Sequence, residues 1–432
     1  MIVKNILGTT ATRFLNALFN LFVLLMITHL MGREKLGEIS LIVVDVTVIQ
    51  LLVDFLAGSA LVFFASRTEI SKLILPAYFW ILWVVVCVVF LARIVFYFFP
   101  AVEPVMIPSG FAFWIVLLAL INGFMQTHYN LLLGLNKIKT YNIIFTVQIA
   151  VFIFIFSFLM LIKGQHSVFS YILSLAVSWA FSAVLGIIVL AKNMKGFSFH
   201  SWNMMVKQIF HYGFMTQGAN ILHLGSKRFS YYLLRIFGGF APLGLFSAAV
   251  QLTEGLRLAG QSISLVQFSS ISNSRDGDYS KNLTIKSMKF SLTLTFIGVV
   301  VLLSIPSGAY GYIFGKSFGE IRWIVLSLSP GVLALAASNI FSHYFSGVGN
   351  PKVNLFSNIS GFAVMLVFAF VLLPFYGYIG AAVTASLSYL ASAIHQYIVF
   401  RKQTEIRFGE WYLKKEDFTW FVHITKNLFK SR

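Results

Sequence analysis

Five basic side chains fall inside segments otherwise apolar enough to be helices in lipid: Arg13, Arg93, Lys227, Arg228 and Arg257. An Arg or Lys at mid-bilayer costs about 2.5–3.5 kcal/mol on insertion scales. Such groups persist where they are used or neutralised, and Asp45, Asp54 and Glu254 are the acidic residues placed to neutralise them. A positive interior suits an anionic cargo. Around these charges, polar residues recur at steps of three or four, the spacing of one helix face. One stripe holds Thr9, Arg13, Asn16 and Asn20, and a second holds Thr47, Gln50, Asp54 and Gly58. A third holds Gln217, Asn220, His223, Lys227 and Tyr231, and a fourth Gln251, Glu254, Arg257, Gln261 and Ser264. Lipid cannot satisfy such a face, so it must meet protein or water. Interhelical hydrogen bonding in a dry bundle accounts for the amides but poorly for Arg13, Lys227 and Arg257, which favours a hydrated cleft. Glu254 and Arg257 are i,i+3 neighbours and can pair. Asp54 has no basic residue near it on its own helix. Two roles are open for it, pairing across the cleft or binding a coupling ion, H+ or Na+, and Glu254 is the second ion-coupling candidate. Arg93 and Arg228 either snorkel outward or face another helix.

The elements that must position these groups are membrane helices. With 58% hydrophobic, 16% aromatic and only 11% charged residues, a water-soluble fold is excluded. Apolar runs long enough to span hydrocarbon lie near 5–30, 38–65, 73–99, 111–134, 141–162, 168–191, 208–235, 243–271, 284–314, 322–346, 353–374 and 378–400. The runs are long and lack strict alternation, which excludes barrel strands. The expectation is an all-α integral membrane protein of about twelve transmembrane helices. The first run has no cleavage pattern after a short core and reads as a span, not a removed leader.

The formal net charge is +18, and its distribution sets orientation. With the N-terminus inside, 21 of the 32 Lys and Arg fall in cytoplasmic segments, six outside and five within the spans. The positive-inside rule then places both termini in the cytoplasm. Basic residues spread over short loops, not massed on one soluble domain, exclude nucleic-acid binding. Cys87 stands alone, which excludes an internal disulfide and a cysteine metal site. His29, His128 and His343 lack metal-ligand spacing. The sequence holds no H-E-x-x-H and no serine in an elbow context, and YGYIFGKS puts Tyr310 where a phosphate loop needs glycine. The longest outer loop, Phe99–Gly110, is too short for an outer catalytic domain. The chain is therefore expected to be no enzyme and to use no cofactor. On the inner side, residues 192–207 read as an amphipathic connector. Residues from about 403 mix Trp411, Phe418, Trp420 and Phe421 with Lys414, Lys415, Lys426 and Lys430, an interfacial helix for an anionic leaflet.

An internal repeat is visible. Leu36-Gly37-x-x-Ser40-x-x-Val43 returns as Leu243-Gly244-x-x-Ser247-x-x-Val250, and Gly134-x4-Lys139 as Gly347-x4-Lys352. A duplicated six-helix unit fits both. An even number of spans per copy gives two lobes of like orientation, related by a pseudo-twofold along the membrane normal. The expected divisions are 1–195 for the N-terminal lobe, 196–402 for the C-terminal lobe and 403–432 for a basic tail.

The stretch LMGREKLGEIS at Leu30–Ser40, its partner FGGFAPLGLFS at Phe237–Ser247, GVGNPK at Gly347–Lys352 and YGYIGAA at Tyr376–Ala382 resemble bacterial polysaccharide flippases. The resemblance runs through essentially the whole chain and points to the polysaccharide transporter family of the multidrug/oligosaccharidyl-lipid/polysaccharide exporter superfamily. One departure is the start of the seventh span, Tyr212–Met215, which lacks the family's proline. The resemblance implies two six-helix lobes with a cavity opening alternately to each side of the cytoplasmic membrane. It implies a cargo of oligosaccharide joined through pyrophosphate to a polyprenyl lipid, moved from the inner to the outer leaflet, with a polysaccharide polymerase as a partner downstream. Arg forks suit a pyrophosphate, and amides suit sugar hydroxyls. The substrate-binding candidates are therefore Arg13, Asn16, Asn20, Gln217, Asn220, Lys227, Arg257 and Gln261. Three other readings compete: a multidrug/cation antiporter, which would favour an acidic cavity; a lipid II flippase, which would have about fourteen spans; and a membrane glycosyl polymerase, which would carry a large outer loop.

Overall fold

In a computed structural model, the described residues are 2–192, 194, 202–272, 274, 276–406 and 410; for 2–15, 59, 202–204, 212, 214–220, 223, 226, 227, 257–259, 262, 265, 266 and 269 the backbone alone is described. Fourteen α-helices carry the described chain: α1 Ile2–Leu30, α2 Gly32–Ala57, α3 Ser59–Ala65, α4 Ile70–Phe98, α5 Glu103–Met106, α6 Ala112–Gly134, α7 Ile138–Ser157, α8 Val168–Ala191, α9 Trp202–Gly238, α10 Phe240–Ser272, α11 Gly277–Ser304, α12 Ser307–Phe314, α13 Ile321–Gly347 and α14 Lys352–Thr404. No strand occurs among the described residues. In lipid every backbone group must bond internally, and the helix does this within one segment. Among the described residues, eight helical segments are long and apolar enough to cross a membrane, and the protein is an all-α, multi-pass membrane protein.

The outer faces confirm the solvent. On α4, Phe79, Trp83, Val86 and Phe90 are exposed at helical spacing, while Leu73, Ile74, Ala77, Ile81 and Val84 are buried on the opposite face. Apolar residues on both sides of a helix belong in hydrocarbon, since an exposed patch of this size would associate in water. Inside, small residues let helices approach. Ser170, Ser174, Ser178, Ser182 and Gly186 form one buried face of α8. A Cβ on Gly186 would lie 2.7 Å from the Cβ of His128 on α6.

The expected spans are divided or joined at three places. The second, 38–65, is divided at Gly58 into α2 and α3. The ninth apolar run ends at Ser304, because Pro306 holds Ile305 extended and opens the short α12. The last two runs form one helical stretch, α14, broken at Gly377 with φ 52° and ψ −127°. That break falls between the spans expected at 353–374 and 378–400. The connector at 192–207 and the tail lie mostly outside the described residues.

The chain folds as two compact units, residues 4–221 and residues 222–432 together with 1–3. Their turns repeat. Left-handed backbone occurs at Gly32 and Gly239, both with φ 82°, at Gly110 and Gly315, at Asn136 and Gly349, and at Gly164 and Gly377. Each pair is separated by 205 to 213 positions, the offset of the sequence repeat. Such conformations disfavour side chains with a Cβ, so their recurrence in order is a backbone record of duplication.

Candidate functional site

In the first unit the second stripe becomes a bonded site. Gln50 Nε2 donates to Asp54 Oδ1 at 2.7 Å. Asn122 Nδ2 on α6 donates to Gln50 Oε1 at 3.0 Å. Asn122 is buried; Gln50 and Asp54 are half-buried. This relay fixes the amide: with its oxygen taken by Asn122, Gln50 can only present N–H to the carboxylate. Among the described residues Asp54 has no cationic partner. The same turn of α2 is held from two helices. Trp80 Nε1 on α4 donates to the carbonyls of Leu52 and Val53, at 3.2 and 3.1 Å. Asn130 Nδ2 on α6 donates to Ala57 O at 2.9 Å. That carbonyl needs a side-chain donor because α2 stops at Gly58, with φ −91° and ψ −135°, before α3 begins. Gly213 on α9 packs so closely that a Cβ there would lie 1.6 Å from Phe55 O.

The second unit holds a different cluster. Arg228 Nη1 donates to Tyr231 Oη at 3.0 Å, and its guanidinium carbon stands 5.2 Å from the Tyr231 ring centre. Glu254 on α10 and Tyr389 on α14 are within electrostatic reach of Arg228. Tyr231 is 2% exposed. At the end of α14 the chain turns at Glu405, φ 50°, and Ile406 enters a core of Ile271, Ile285, Met288, Phe341, Phe345 and Phe400. Lys281 Nζ meets Glu410 at 3.3 Å.

Of the residues expected to bind cargo, Asn16 and Gln261 are half-buried and Asn20 is exposed. The side chains of Arg13, Gln217, Asn220, Lys227 and Arg257 lie outside the described residues. Asp54 joins the relay, and Glu254 is within electrostatic reach of Arg228 on α9. Arg93 is exposed on α4, as a snorkelling side chain would be. Arg228 faces other helices. Asn122, Asn130, Trp80 and Tyr389 did not stand out in the sequence. A lone Asn in an apolar run, repeated eight residues later on the same face, was the available signal for the first two.

Residues 2–258 and 254–432 match the family model described as "Polysaccharide biosynthesis protein". Over 177 residues the chain is 26% identical to the capsular polysaccharide biosynthesis protein CapF of Staphylococcus aureus, covering 39% of this chain and 43% of that protein. The aligned part is thus under half the length of this curated relative. The fold is similar to that of an inward-facing multidrug resistance MATE family transporter of the MOP superfamily, with TM-score 0.69 and 14% identity over 90% of this chain and 94% of the other. It is also similar to the lipid II flippase MurJ in an inward closed conformation, with TM-score 0.71 and 16% identity over 94% and 89% of the two chains. Matched along its whole length by the family model, and built on the fold of MOP superfamily transporters, the chain belongs to the polysaccharide biosynthesis protein family.

Proposed function

We propose that this protein is a flippase that carries polyprenyl-pyrophosphate-linked oligosaccharide repeat units from the inner to the outer leaflet of the cytoplasmic membrane by alternating access. The observation that carries the reading is the family match through residues 2–258 and 254–432 on a transporter fold. The name of its curated relative places that protein in capsule synthesis, and lipid-linked repeat units are the cargo that such a pathway must move across a bilayer. Arg13, Lys227 and Arg257 take the pyrophosphate, whose negative charges suit guanidinium forks. Asn16, Asn20, Gln217, Asn220 and Gln261 take sugar hydroxyls. Asp54 and Glu254 are the ion-coupling carboxylates. The protein acts as a carrier, not an enzyme, with both termini cytoplasmic, and delivers its cargo to a polysaccharide polymerase on the outer side.

The test compares leaflet accumulation of lipid-linked repeat units in cells with and without the protein. Loss of the protein should strand the units in the inner leaflet, and an unchanged leaflet distribution refutes the reading. A reporter fused after Arg432 that is active only outside the cell would refute the orientation.

A further inference from the structure

An apolar groove of about 460 Å³ runs along α1 and α7 in the first unit. Phe19 on α1 lines one side. Ala150, Phe154, Phe158 and Ile162, spaced four apart on α7 and its continuation, line the other. Those four are exposed, Phe154 by 73% and Ile162 by 72%. At a spacing of four a helix face drifts by about 40° per step. The chain offsets this by passing from α7 into a π-helical turn at Phe158–Ile162, where Lys163 N–H donates to Phe158 O at 3.1 Å. The extra residue in the turn keeps Ile162 on the wall, and single π turns recur at functional sites. Ser157 is the polar residue of the lining. Its Oγ donates to Met26 Sδ on α1 at 3.6 Å, so the hydroxyl is spent on holding the two helices together.

The groove has the length and direction of one lipid chain. From Ala150 to Ile162 it runs about 18 Å at about 1.5 Å per residue, somewhat more than half of the roughly 30 Å hydrocarbon core. It occupies the half of α7 that is far from Ile138. With both termini cytoplasmic, as proposed above, that half lies in the outer leaflet.

Its outer end is basic. Lys163 follows Ile162 directly and is exposed. Lys35 Nζ on α2 donates to His166 O at 2.6 Å, which brings a second ammonium to the same turn with two donors left. Arg33, on the first turn of α2, is exposed beside Glu34. Among the described residues none of these three cations makes an ion pair. They are half of the six Lys and Arg that the sequence places on the outer side, so the charge is concentrated at this rim. An apolar slot that ends in cations at the water interface complements a lipid with an anionic head. The chain gains little by leaving lipid for the groove, because lipid tails are as apolar as Leu. The head therefore supplies most of the affinity, and the groove selects the chain. Rings of Phe19, Phe154 and Phe158 on both sides suit the methyl branches and double bonds of a polyprenyl chain better than a straight acyl chain.

We propose that this groove is the site from which the carried lipid leaves. The polyprenyl chain lies along α1 and α7, and its pyrophosphate meets Lys163, Lys35 and Arg33 at the outer surface. This exit site extends the carrier reading above, on which it rests. At mid-membrane the groove begins at Phe19, and Asn16 and Asn20 lie to one side of Phe19 by about 60° and 100° around α1. A lipid leaving that polar stripe thus reaches the groove along one helix, within one unit.

The test is photocrosslinking of the full chain in vesicles of phosphatidylethanolamine and phosphatidylglycerol. p-Benzoylphenylalanine replaces Phe154 in the groove or, as a control, Phe90 on the exposed face of α4. Both side chains face outward, so neither replacement disturbs the core. Polyprenyl pyrophosphate is added as a small fraction of the lipid, and the adducts are identified by mass spectrometry. Polyprenyl adducts at Phe154 should exceed those at Phe90 by about tenfold, which corresponds to about 1.4 kcal/mol. Lys163→Gln should lower the pyrophosphate adduct by about fivefold, since one basic residue near the membrane surface weighs about 1 kcal/mol. It should leave the adduct of uncharged polyprenol unchanged. Ala150→Trp fills the groove from its exposed side and should lower both adducts. Equal polyprenyl labelling at Phe154 and Phe90, or adducts unchanged by Ala150→Trp, overturns the groove. Phosphatidylglycerol adducts at Phe154 that polyprenyl pyrophosphate does not displace overturn the choice of occupant. A loss in Lys163→Gln that polyprenol shares marks a structural change and overturns the basic rim. Crosslinking needs no transport, so the two readings fail separately. The expected adducts with an unchanged leaflet distribution of repeat units refute the carrier and keep the groove. Normal transport without the adducts overturns the groove alone.

Discussion

Arg228 gives the sharpest test of how this protein keeps charge inside a bilayer. The substitution Arg228→Met removes the cation and keeps an unbranched stem of similar length, so the loss in packing is small and the charge dominates. Glu254 then loses one of the charges that act on it. Glu254 acts on Arg228 through space and not in a contact pair, so the loss is smaller than the cost of about 3–5 kcal/mol for a broken buried ion pair. The bond from Arg228 to Tyr231 weighs less, because hydrogen bonds within membrane proteins average about 0.6 kcal/mol and reach about 1.7. Arg228→Met should therefore destabilise by about 2 kcal/mol and Tyr231→Phe by about 1 kcal/mol. Arg228→Met combined with Glu254→Gln removes both charges. If the two charges compensate each other, the double variant should be more stable than Arg228→Met alone. The expected coupling is about 1 kcal/mol, above the scatter of about 0.3–0.5 kcal/mol for independent sites.

The assay is unfolding of each variant by steric trapping in lipid bicelles, with all four corners of the cycle measured. Additive costs, or an Arg228→Met variant within about 0.5 kcal/mol of the parent, refute the reasoning. Either result would mean that water, not Glu254, stabilises Arg228. Arg228 would then join Arg13 and Arg257 among the groups available to an anionic cargo.

Three further outcomes are expected. In a background lacking Cys87, a cysteine at Asn20 should react with a water-soluble thiol reagent and one at Phe22 should not, although both positions are exposed; equal labelling would show that the α1 stripe does not face water. An Arg13→Ala, Arg257→Ala double variant should insert normally and lose transport, because removing mid-membrane cations eases insertion, while Arg→Lys at either site keeps partial transport; full transport by the double variant refutes pyrophosphate binding there. Gly213→Ala should destabilise by about 1–3 kcal/mol, since its Cβ would fall 1.6 Å from Phe55 O; parent-like unfolding would show that α9 does not pack on α2 at this point.

Much of the fold was legible because lipid leaves so few solutions. An apolar run of sufficient length must be a helix, and Gly377 parted the last two runs where the sequence placed a turn. The break of the ninth run at Ser304 was less legible, since its apolar character continues past Pro306 and only the backbone restriction before proline ends the helix. The site was legible by helix face but not by partner. Spacing put Gln50 and Asp54 on one stripe, yet Asn122 is 72 positions from Gln50, and no local pattern encodes a bond across helices. Arg228 shows the same limit. Its helical position left both outward and inward readings open, and packing against Tyr231, with Glu254 and Tyr389 in electrostatic reach, chose the inward one.

The two units also show how a duplicated scaffold can divide its labour. At the 207-residue offset that relates Gly32 to Gly239, the polar positions of α2 fall on polar positions of α10: Thr47 on Glu254, Gln50 on Arg257 and Asp54 on Gln261. Those of α1 fall on α9 in the same way: Thr9 on Thr216, Arg13 on Asn220, Asn16 on His223 and Asn20 on Lys227. The register is kept while the chemistry is exchanged. Asp54 gives way to an amide, Gln50 and Asn20 give way to cations, and Arg13 gives way to an amide. Retained register means the same helix face must stay polar in both copies, which packing in lipid alone would not require. Exchanged chemistry means the two faces present different groups at matched positions. A carboxylate cradled by amides in one copy, and Arg228 within electrostatic reach of Glu254 in the other, show that duplication kept the polar face while its chemistry diverged.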